Sequence, residues 1–296
     1  MTFLYLARWF VKARFFGKRN PLQSVIFISD KCNLHCRHCN VVNSENPVSK
    51  SKEQIREELL YCYHLGSRFI DFEGGEPMIW RDGNNSINDL IEMARKIGFH
   101  SATVTTNAQL PFGHCQADSM WISMDGLHGY HDRIRGEGSF ARLEENIDRS
   151  CHKKMSLNMV INSLNHENVG EAIEYARKHP RIQSISLNFH LPYKGTESLF
   201  LDWETRRKVI DGIIRMKKQG YPVMNSVSGL EAMKHNNFPK VCWVTNFILA
   251  DGTRLTECAG KTHRLCDQCG LCMAGEMYSV FHFKPDTILA GLKLRV

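Results

Sequence analysis

The sequence predicts an α/β fold in which strands and helices alternate along most of the chain and are followed by a cysteine-rich region. Short apolar runs alternate with longer segments whose apolar residues recur three and four positions apart, as in Ile55, Leu59 and Tyr63. The composition, 43% apolar and 23% charged over 296 residues, is that of a globular protein with a sizeable core. Five of the 11 cysteines lie after about Tyr221, where the alternation stops.

Six strands and five helices are predicted between Pro21 and residue 220. Because helices separate consecutive strands, the strands should be parallel and joined by right-handed crossovers, as in an α/β barrel or an open sheet. A complete barrel has eight such units, and six are visible here. The predicted strands are Val25–Ser29, Phe69–Glu73, Ala102–Thr106, Trp121–Met124, Leu157–Asn162 and Ile185–Phe189. The predicted helices are Lys52–Leu65, Ile87–Ile97, Phe140–Cys151, His166–Lys178 and Trp203–Gln219.

The segment of residues 1–20 differs from the rest of the chain in charge. Five of the 38 basic residues precede the first acidic residue, Asp30, whereas the remaining 33 are balanced by 31 acidic residues. Aromatic and aliphatic residues separate these cations, as in amphipathic helices that lie on anionic membranes. The alternative is a helix packed over the barrel or along its edge, with its Lys and Arg ends in solvent. The near-neutral remainder argues against a nucleic-acid partner.

The expected location is the cytoplasm. No apolar run approaches the roughly 20 residues that span a bilayer. Arg8, Lys12 and Arg14 interrupt the first apolar segment, where a signal peptide should be uncharged. Clustered cysteines indicate metal ligands or catalytic thiols in a reducing compartment rather than disulfides. If the N-terminal helix binds lipid, the protein should be peripheral on the inner face of the membrane.

The first cysteine cluster follows the first predicted strand directly. Cys32, Cys36 and Cys39 have the spacing CxxxCxxC. Three thiolates on one loop can bind three irons of a [4Fe–4S] cluster, whereas electron carriers use four thiolates. The fourth iron would then be open to an exogenous donor, which suits catalysis. The alternative is zinc bound by the three cysteines and either His35 or His38.

This loop resembles the CxxxCxxC loop of the radical S-adenosylmethionine (radical SAM) superfamily. Gly74-Gly75-Glu76-Pro77 follows the second predicted strand and matches the GGEP element of that family. Later elements also occur in the family's order. Three of them end successive strands: Thr105-Thr106-Asn107, Ser123-Met124-Asp125-Gly126 and Val160-Ile161-Asn162. The element that follows the fourth strand is His131-Asp132-Arg133-Ile134-Arg135-Gly136. A GGEP element alone would be weak evidence, because it is also a plausible turn.

The resemblance implies a partial (β/α)6 barrel of the TIM type, with its chemistry at the carboxyl ends of the strands. It implies that Cys32, Cys36 and Cys39 bind a [4Fe–4S] cluster whose free iron chelates S-adenosylmethionine. An electron from the cluster then yields a 5′-deoxyadenosyl radical, which abstracts hydrogen from the substrate.

The resemblance also assigns contacts to S-adenosylmethionine. Glu76 is the expected partner of its ammonium group, and Gly74 and Gly75 allow close backbone approach. The other expected cofactor-binding residues are Pro77, Asn107, Ser123, Asp125, Arg135 and Asn162. For Asp125, a loop residue that caps the following turn is an equal alternative.

The second cysteine group resembles the auxiliary iron–sulfur modules called SPASM or twitch. It consists of Cys242, Cys258, Cys266, Cys269 and Cys272. Asp251-Gly252 is a good hairpin turn, although five residues rather than the usual four separate Gly252 from Cys258. Five candidates for four positions fit one auxiliary [4Fe–4S] cluster, and structural zinc is the alternative. We therefore divide the chain into residues 1–20, a barrel of residues 21–220 and a metal-bound module of residues 221–296, in which no long helix is expected.

Three functions are compatible with these features. The first is a radical SAM enzyme that acts on a small-molecule or lipid-like substrate in a biosynthetic pathway and is reduced by a partner such as flavodoxin or ferredoxin. Its layout is similar to that of the hopanoid-adenosylating enzymes of bacterial lipid synthesis. The second is a peptide-modifying radical SAM enzyme, which the short segment before the first strand disfavours. The third is a non-enzymatic iron–sulfur or zinc protein, which would need no S-adenosylmethionine cradle.

Overall fold

A computed structural model describes residues 2–41 and 46–295 and contains one eight-stranded sheet flanked by helices. Its strand order is β6-β5-β4-β3-β2-β1-β7-β8, so the sheet is open between β6 and β8. The strands are β1 Gln23–Phe27, β2 Phe69–Glu73, β3 Ser101–Thr106, β4 Ser119–Ser123, β5 Met155–Ile161, β6 Ile182–Phe189, β7 Thr245–Ile248 and β8 Arg254–Leu255. All neighbouring strands are parallel except β7 and β8. This confirms the predicted α/β partial barrel.

Eleven α-helices are formed by the described residues. They are α1 Thr2–Phe15, α2 Lys52–Leu65, α3 Ile87–Ile97, α4 Gly129–Arg135, α5 Ser139–Arg149, α6 Val169–Lys178, α7 Trp203–Lys218, α8 Val227–His235, α9 Ala259–Thr262, α10 Cys272–Phe281 and α11 Pro285–Arg295. The bounds of β2, α2 and α3 agree with the prediction. For α2 the reason is local: Ser51 and Gln54 form a capping box, and Gly66 ends the helix in a left-handed conformation.

The region after residue 220 is more regular than the sequence analysis predicts. The expectation of no long helix is wrong, because α8, α10 and α11 lie there. A Cβ atom on Gly229 would meet the carboxylate of Glu276, and one on Gly275 would meet the carbonyl of Gly229, so α8 and α10 pack almost backbone to backbone. β7 extends the barrel sheet by pairing with β1. The domain boundary near residue 220 stays a prediction.

Helix α1 packs against the body along one side. Tyr5 donates a hydrogen bond from its hydroxyl to the carbonyl of Gly66 (2.7 Å), and the indole of Trp9 donates to the carbonyl of Asn20 (2.8 Å). Trp9 is buried, with its ring 6.0 Å from those of Trp243 and Phe281. Within residues 2–41 and 46–295, none of the helices combines the length and apolar character needed to cross a bilayer.

Candidate active site

The loop after β1 places the first cysteine cluster at the carboxyl end of the sheet. The loop turns tightly, with the amide of Cys39 donating to the carbonyl of Cys36 (3.1 Å). A nitrogen donor lies beside each sulfur: Asn107 Nδ2 is 3.6 Å from Cys32, Arg135 Nη1 is 3.9 Å from Cys36, and the Val41 amide is 3.4 Å from Cys39. Burial raises the pKa of Cys36 to about 11. Nitrogen donors beside three sulfurs suit an iron–sulfur cluster, because they stabilise the negative charge of its thiolate ligands.

The two glycines of the GGEP element press against this cysteine loop. The amide of Gly75 donates to the carbonyl of Ser29 (2.7 Å), and that of Glu76 donates to the carbonyl of Lys31 (2.8 Å). A Cβ atom on Gly74 or Gly75 would collide with those same two carbonyl oxygens. Gly74 also has a φ of +143°, which side chains rarely permit. The glycines therefore hold the cysteine loop against the end of β2.

Glu76 is buried and its carboxylate is occupied by neighbouring protein groups. Oε1 accepts hydrogen bonds from the Thr106 hydroxyl (2.7 Å) and the Met78 amide (3.0 Å), and Oε2 accepts one from the Asn107 amide (2.7 Å). Burial raises the pKa of Glu76, although these donors oppose the shift. Pro77 begins a short 3₁₀ turn just after it. This geometry differs from that expected of an ammonium partner, since Glu76 ties its own loop to the end of β3.

Asp125 is fully buried and holds Arg135. Its Oδ2 accepts from Arg135 Nε (2.6 Å), and its Oδ1 accepts from the Val160 amide (2.9 Å). Burial would raise the pKa of Asp125, but Arg135, His38, His131 and the Val160 amide together outweigh this effect and lower the pKa. His38 Nε2 lies 3.7 Å from the same carboxylate, and burial lowers the pKa of His38 to about 4. The geometry therefore favours the alternative in which Asp125 is a loop residue rather than a contact to the cofactor. Its partner Arg135 in turn reaches the Cys36 sulfur.

Asn162 is likewise turned into the protein. It donates to the carbonyl of Val160 (3.2 Å) and accepts from the amide of Leu164 (2.9 Å), so it shapes the turn after β5. Two asparagines that the sequence analysis missed face the interior instead. Asn188 on β6 donates to Asn158 on β5 (3.1 Å), and both line the cavity described next.

A cavity of about 480 Å³ runs along the inside of the sheet. Alternate residues of β1, which are Gln23, Val25 and Phe27, line it along the whole strand. Of the predicted cofactor contacts, Gly74, Gly75, Asn107, Ser123 and Arg135 line it, and Glu76, Pro77, Asp125 and Asn162 do not. It is lined by cysteines of both groups: Cys32, Cys36, Cys39, Cys242, Cys258 and Cys269.

Two acidic residues of β2 that the sequence analysis missed also line this cavity. Asp71 and Glu73 are two positions apart on the strand, so their side chains lie on the same face. The hydroxyl of Thr105 donates to Glu73 (3.4 Å). Burial and the charge of Asp71 raise the pKa of Glu73 to about 8. Carboxyl groups within an otherwise apolar strand were the available sign that this face is not ordinary core.

The second cysteine group gathers around Cys258. The Cys242 thiol donates a hydrogen bond to Cys258, which raises the pKa of Cys242 and lowers that of Cys258 to about 6. Cys266 and Cys269 also interact electrostatically with Cys258. Cys272 is buried at the start of α10, and among the described cysteines only Cys269 affects its charge. Cys242, Cys266 and Cys269 thus each interact with Cys258, whereas Cys272 interacts with Cys269.

Within residues 2–41 and 46–295, no three Cys, His, Asp or Glu side chains meet closely enough to hold one metal ion. A [4Fe–4S] cluster does not require that proximity, because each thiolate binds a different iron.

Comparisons with known proteins agree with this arrangement. The chain is 28% identical over 198 residues to a probable GTP 3′,8-cyclase of Archaeoglobus fulgidus, covering 61% of this chain and 64% of the relative. It is 26% identical over 186 residues to one of Methanocella arvoryzae, covering 57% and 58%. The chain thus spans less than two thirds of the length of these relatives.

Solved structures share the fold at low sequence identity. SuiB of Streptococcus suis bound to the precursor peptide SuiA aligns with a TM-score of 0.65 at 18% identity, covering 90% of this chain and 67% of SuiB. The protein anSMEcpe with bound AdoMet aligns with a TM-score of 0.60 at 17% identity, covering 79% and 73%. Residues 26–179, more than half of the chain, match the model of the radical SAM superfamily. The chain therefore belongs to the radical SAM superfamily, a family of enzymes that use a [4Fe–4S] cluster and S-adenosylmethionine.

Proposed function

We propose that this enzyme abstracts hydrogen from a substrate held in the cavity shared by the two cysteine groups. A [4Fe–4S] cluster on Cys32, Cys36 and Cys39 would supply the electron that cleaves S-adenosylmethionine to methionine and the 5′-deoxyadenosyl radical. The observation that supports this proposal is the cavity itself, which all three of these cysteines line. Membership of an enzyme family excludes the third interpretation, a non-enzymatic metal protein.

The side chains around the first cluster divide into two roles. Asn107, Ser123 and Arg135 line the cavity and are the proposed contacts to S-adenosylmethionine, with the Arg135 cation suited to its carboxylate. Glu76, Asp125 and Asn162 are buried behind them and hold the loops that carry these contacts. For the ammonium group we propose Glu73, the carboxyl that precedes the GGEP element and lines the cavity.

The proposed auxiliary [4Fe–4S] cluster is bound by Cys242, Cys258, Cys266 and Cys269. These four thiols influence one another's charge, as expected of ligands to one cluster. Among the described cysteines, Cys272 interacts only with Cys269, and it is the proposed spare cysteine. Four thiolates leave no iron open, which assigns this cluster to electron transfer or structure rather than to substrate binding.

The cavity favours a small molecule over a peptide as the substrate. Because S-adenosylmethionine would occupy part of its volume of about 480 Å³, less than that remains for the substrate, which suits a small molecule. Its lining is mixed, because Glu73, Asn158 and Asn188 are polar whereas Phe27 and Phe247 are apolar. A small metabolite with polar and apolar parts would suit this lining, and a lipid-like substrate is the more apolar version of this proposal. The relatives named GTP 3′,8-cyclases favour a small substrate, and SuiB with its precursor peptide represents the alternative.

Anaerobic reconstitution tests the proposed chemistry. The protein should bind about eight irons, the sum of two cubanes, and release 5′-deoxyadenosine from S-adenosylmethionine in the presence of a strong reductant. Replacing Cys32, Cys36 and Cys39 together by Ala should leave about half the iron and abolish release. Cys151→Ala is the matched control, since Cys151 is exposed and outside both groups. Stoichiometric zinc without 5′-deoxyadenosine release would refute the proposal.

The release of 5′-deoxyadenosine can then be used to test the class of substrate. Small polar, lipid and peptide fractions from a cell extract are added separately to the reconstituted enzyme. The fraction that accelerates release is then labelled with deuterium, and transfer of deuterium into 5′-deoxyadenosine is measured. We expect a small-molecule or lipid fraction to accelerate the release of 5′-deoxyadenosine. Acceleration by the peptide fraction alone would favour the peptide-modifying alternative.

We also propose that α1 contacts an anionic membrane surface. Leu4, Phe15 and Phe16 are 73%, 62% and 71% exposed. Beside them, a groove of about 530 Å³ is lined by four cations and, among the described residues, by no Asp or Glu. The cations are Arg8, Lys12, Lys18 and Arg68. A strip of apolar side chains next to cations is typical of helices that lie on anionic lipid.

Vesicle sedimentation tests this proposal. The protein should bind phosphatidylglycerol vesicles better than phosphatidylcholine vesicles, and salt should weaken binding by screening the cations. Leu4→Ser with Phe15→Ser should reduce binding, whereas Val48→Ser, an exposed apolar residue outside α1, is the matched control. Equal sedimentation with and without phosphatidylglycerol would refute membrane association and remove the main support for a lipid-like substrate.

A further inference from the structure

Arg206 on α7 is a fully buried cation with an incomplete set of partners. Its Nη2 donates to the carbonyl oxygen of Cys269 (2.6 Å), but within the described part of the chain its Nε and Nη1 have no hydrogen-bond acceptor. The guanidinium carbon lies 4.4 Å from the ring centroid of Phe189 and 4.6 Å from that of Trp203. These rings fix the position of the guanidinium group and keep water from it.

Among the described residues, the groups that electrostatically favour the charged form of Arg206 are cysteines. Burying a guanidinium without an anion is costly, so a compensating negative charge is expected close to it. The groups that favour its charged form are Cys272 and Cys269, and among the described residues no carboxylate contributes. Neutral thiols supply little compensation, whereas a cluster ligated by four thiolates is a net anion.

We infer that Arg206 stabilises the reduced form of the auxiliary cluster and thereby raises its reduction potential. This inference rests on the proposed auxiliary cluster at Cys242, Cys258, Cys266 and Cys269. Each electron added to an anionic cluster increases its negative charge, and a fixed buried cation favours that step. Net charge and hydrogen bonds to the sulfurs are the main determinants of cluster potential. Arg206 is thus a positioning residue that acts through the cluster and not on the substrate.

A redox titration followed by electron paramagnetic resonance tests the inference. The full chain with Cys32, Cys36 and Cys39 replaced by Ala isolates the auxiliary cluster, and Arg206→Met is introduced into this background. At a fixed solution potential, the ratio of reduced to oxidised cluster should fall by about tenfold, which is a decrease of about 59 mV for one electron. Arg207→Met is the matched control, because Arg207 is the exposed neighbour on the same helix. It should leave the ratio within about twofold of the parent.

Two further variants keep the test decisive. Arg206→Gln is neutral but can still donate to the Cys269 carbonyl, and it should give the same decrease if Arg206→Met does not fold. Arg206→Lys retains the charge and should recover most of the ratio. If a neutral variant has full iron content and the same ratio of reduced to oxidised cluster as Arg207→Met, the inference about Arg206 is wrong. The proposed auxiliary cluster is not affected by that result. Zinc or no metal in the parent background would overturn both the auxiliary cluster and the inference.

Discussion

Replacing Glu76 by Gln separates two roles that this residue could have. In the structure its two carboxylate oxygens accept three hydrogen bonds, from Thr106, Met78 and Asn107. Gln is nearly the same size, but it replaces one acceptor oxygen by an NH₂ donor. If the remaining oxygen keeps Thr106 and Met78, the new donor faces the amide of Asn107, and one buried bond becomes a repulsive contact.

The expected loss in free energy of unfolding follows from that one hydrogen bond. A hydrogen bond to a charged group contributes about 1.5–3 kcal/mol, and leaving a buried donor unsatisfied has a similar cost. We therefore expect Glu76→Gln to lower the free energy of unfolding by about 2 kcal/mol even without S-adenosylmethionine. For a chain of 296 residues, with an unfolding entropy of about 2.1 cal/mol/K per residue, the midpoint of thermal unfolding should fall by roughly 3 °C. Affinity for S-adenosylmethionine should fall as well, because Asn107 is displaced.

Thermal unfolding and equilibrium binding of S-adenosylmethionine, measured on the same anaerobic samples, check this expectation. Glu73→Gln is the matched control, since Glu73 lines the cavity three residues earlier and carries the same chemistry. That variant should lose cofactor affinity without losing stability. If Glu76→Gln binds the cofactor weakly but unfolds at the parent temperature, Glu76 is the direct ammonium partner and our structural argument is wrong.

Three further experiments, with four substitutions, give equally direct tests. Cys272→Ala should keep the auxiliary iron and Cys266→Ala should lose it, as measured by iron analysis; the reverse result would make Cys272 a ligand. Burial raises the pKa of Glu73 from 4.5 to about 8, so the folded state binds the extra proton and parent stability falls as pH rises through that interval. In denaturant titrations, Glu73→Gln should therefore gain stability relative to the parent between pH 4.5 and 8. A difference in stability that does not change with pH would contradict the assigned burial of Glu73. Gly275→Ala should destabilise the fold by more than 1 kcal/mol, in the approximate range for overpacking, because its methyl group meets the backbone at Gly229; unchanged unfolding would show that α8 and α10 can separate.

The central barrel could be predicted from sequence because its elements are locally encoded. Helix α2 has a capping box at one end and a left-handed glycine at the other, and the apolar residues between them have helical spacing. Strand β2 is a compact apolar run, and its bounds were predicted correctly. The motif order identified the family, since every motif lies at or after the end of a strand of the same sheet.

Helices α8 and α10 were not predicted because their packing requires residues that locally disfavour a helix. Glycine lowers helix propensity, so Gly229 and Gly275 argue against helices in that region. In the structure these residues allow α8 and α10 to approach so closely that a side chain at either position would collide with the other helix. Tertiary packing here outweighs propensity, and no local pattern reveals which distant helix supplies the contact.

The roles of individual acidic residues were also beyond the sequence. The motif makes Glu76 the natural candidate for the cofactor, yet its carboxylate is turned inward by donors from β3, which lies some 30 residues further along the chain. Glu73 belongs to no motif element but lies on the cavity side of β2. The motif identifies the loop, whereas the fold decides which of its carboxyl groups faces the cavity.

The open edge of the barrel explains why cysteines of both groups line one cavity. Cys242 precedes β7 and Cys258 follows β8, on one side of the opening. Cys269 lies on the other side, where the next residue, Gly270, accepts a hydrogen bond from the amide of Phe189 at the end of β6 (2.8 Å). A ligand shared by these cysteines would join the two edges that the sheet leaves unpaired. Because metal binding is coupled to folding wherever its ligands come from separate segments, the auxiliary site would close the barrel wall around the substrate as well as carry charge.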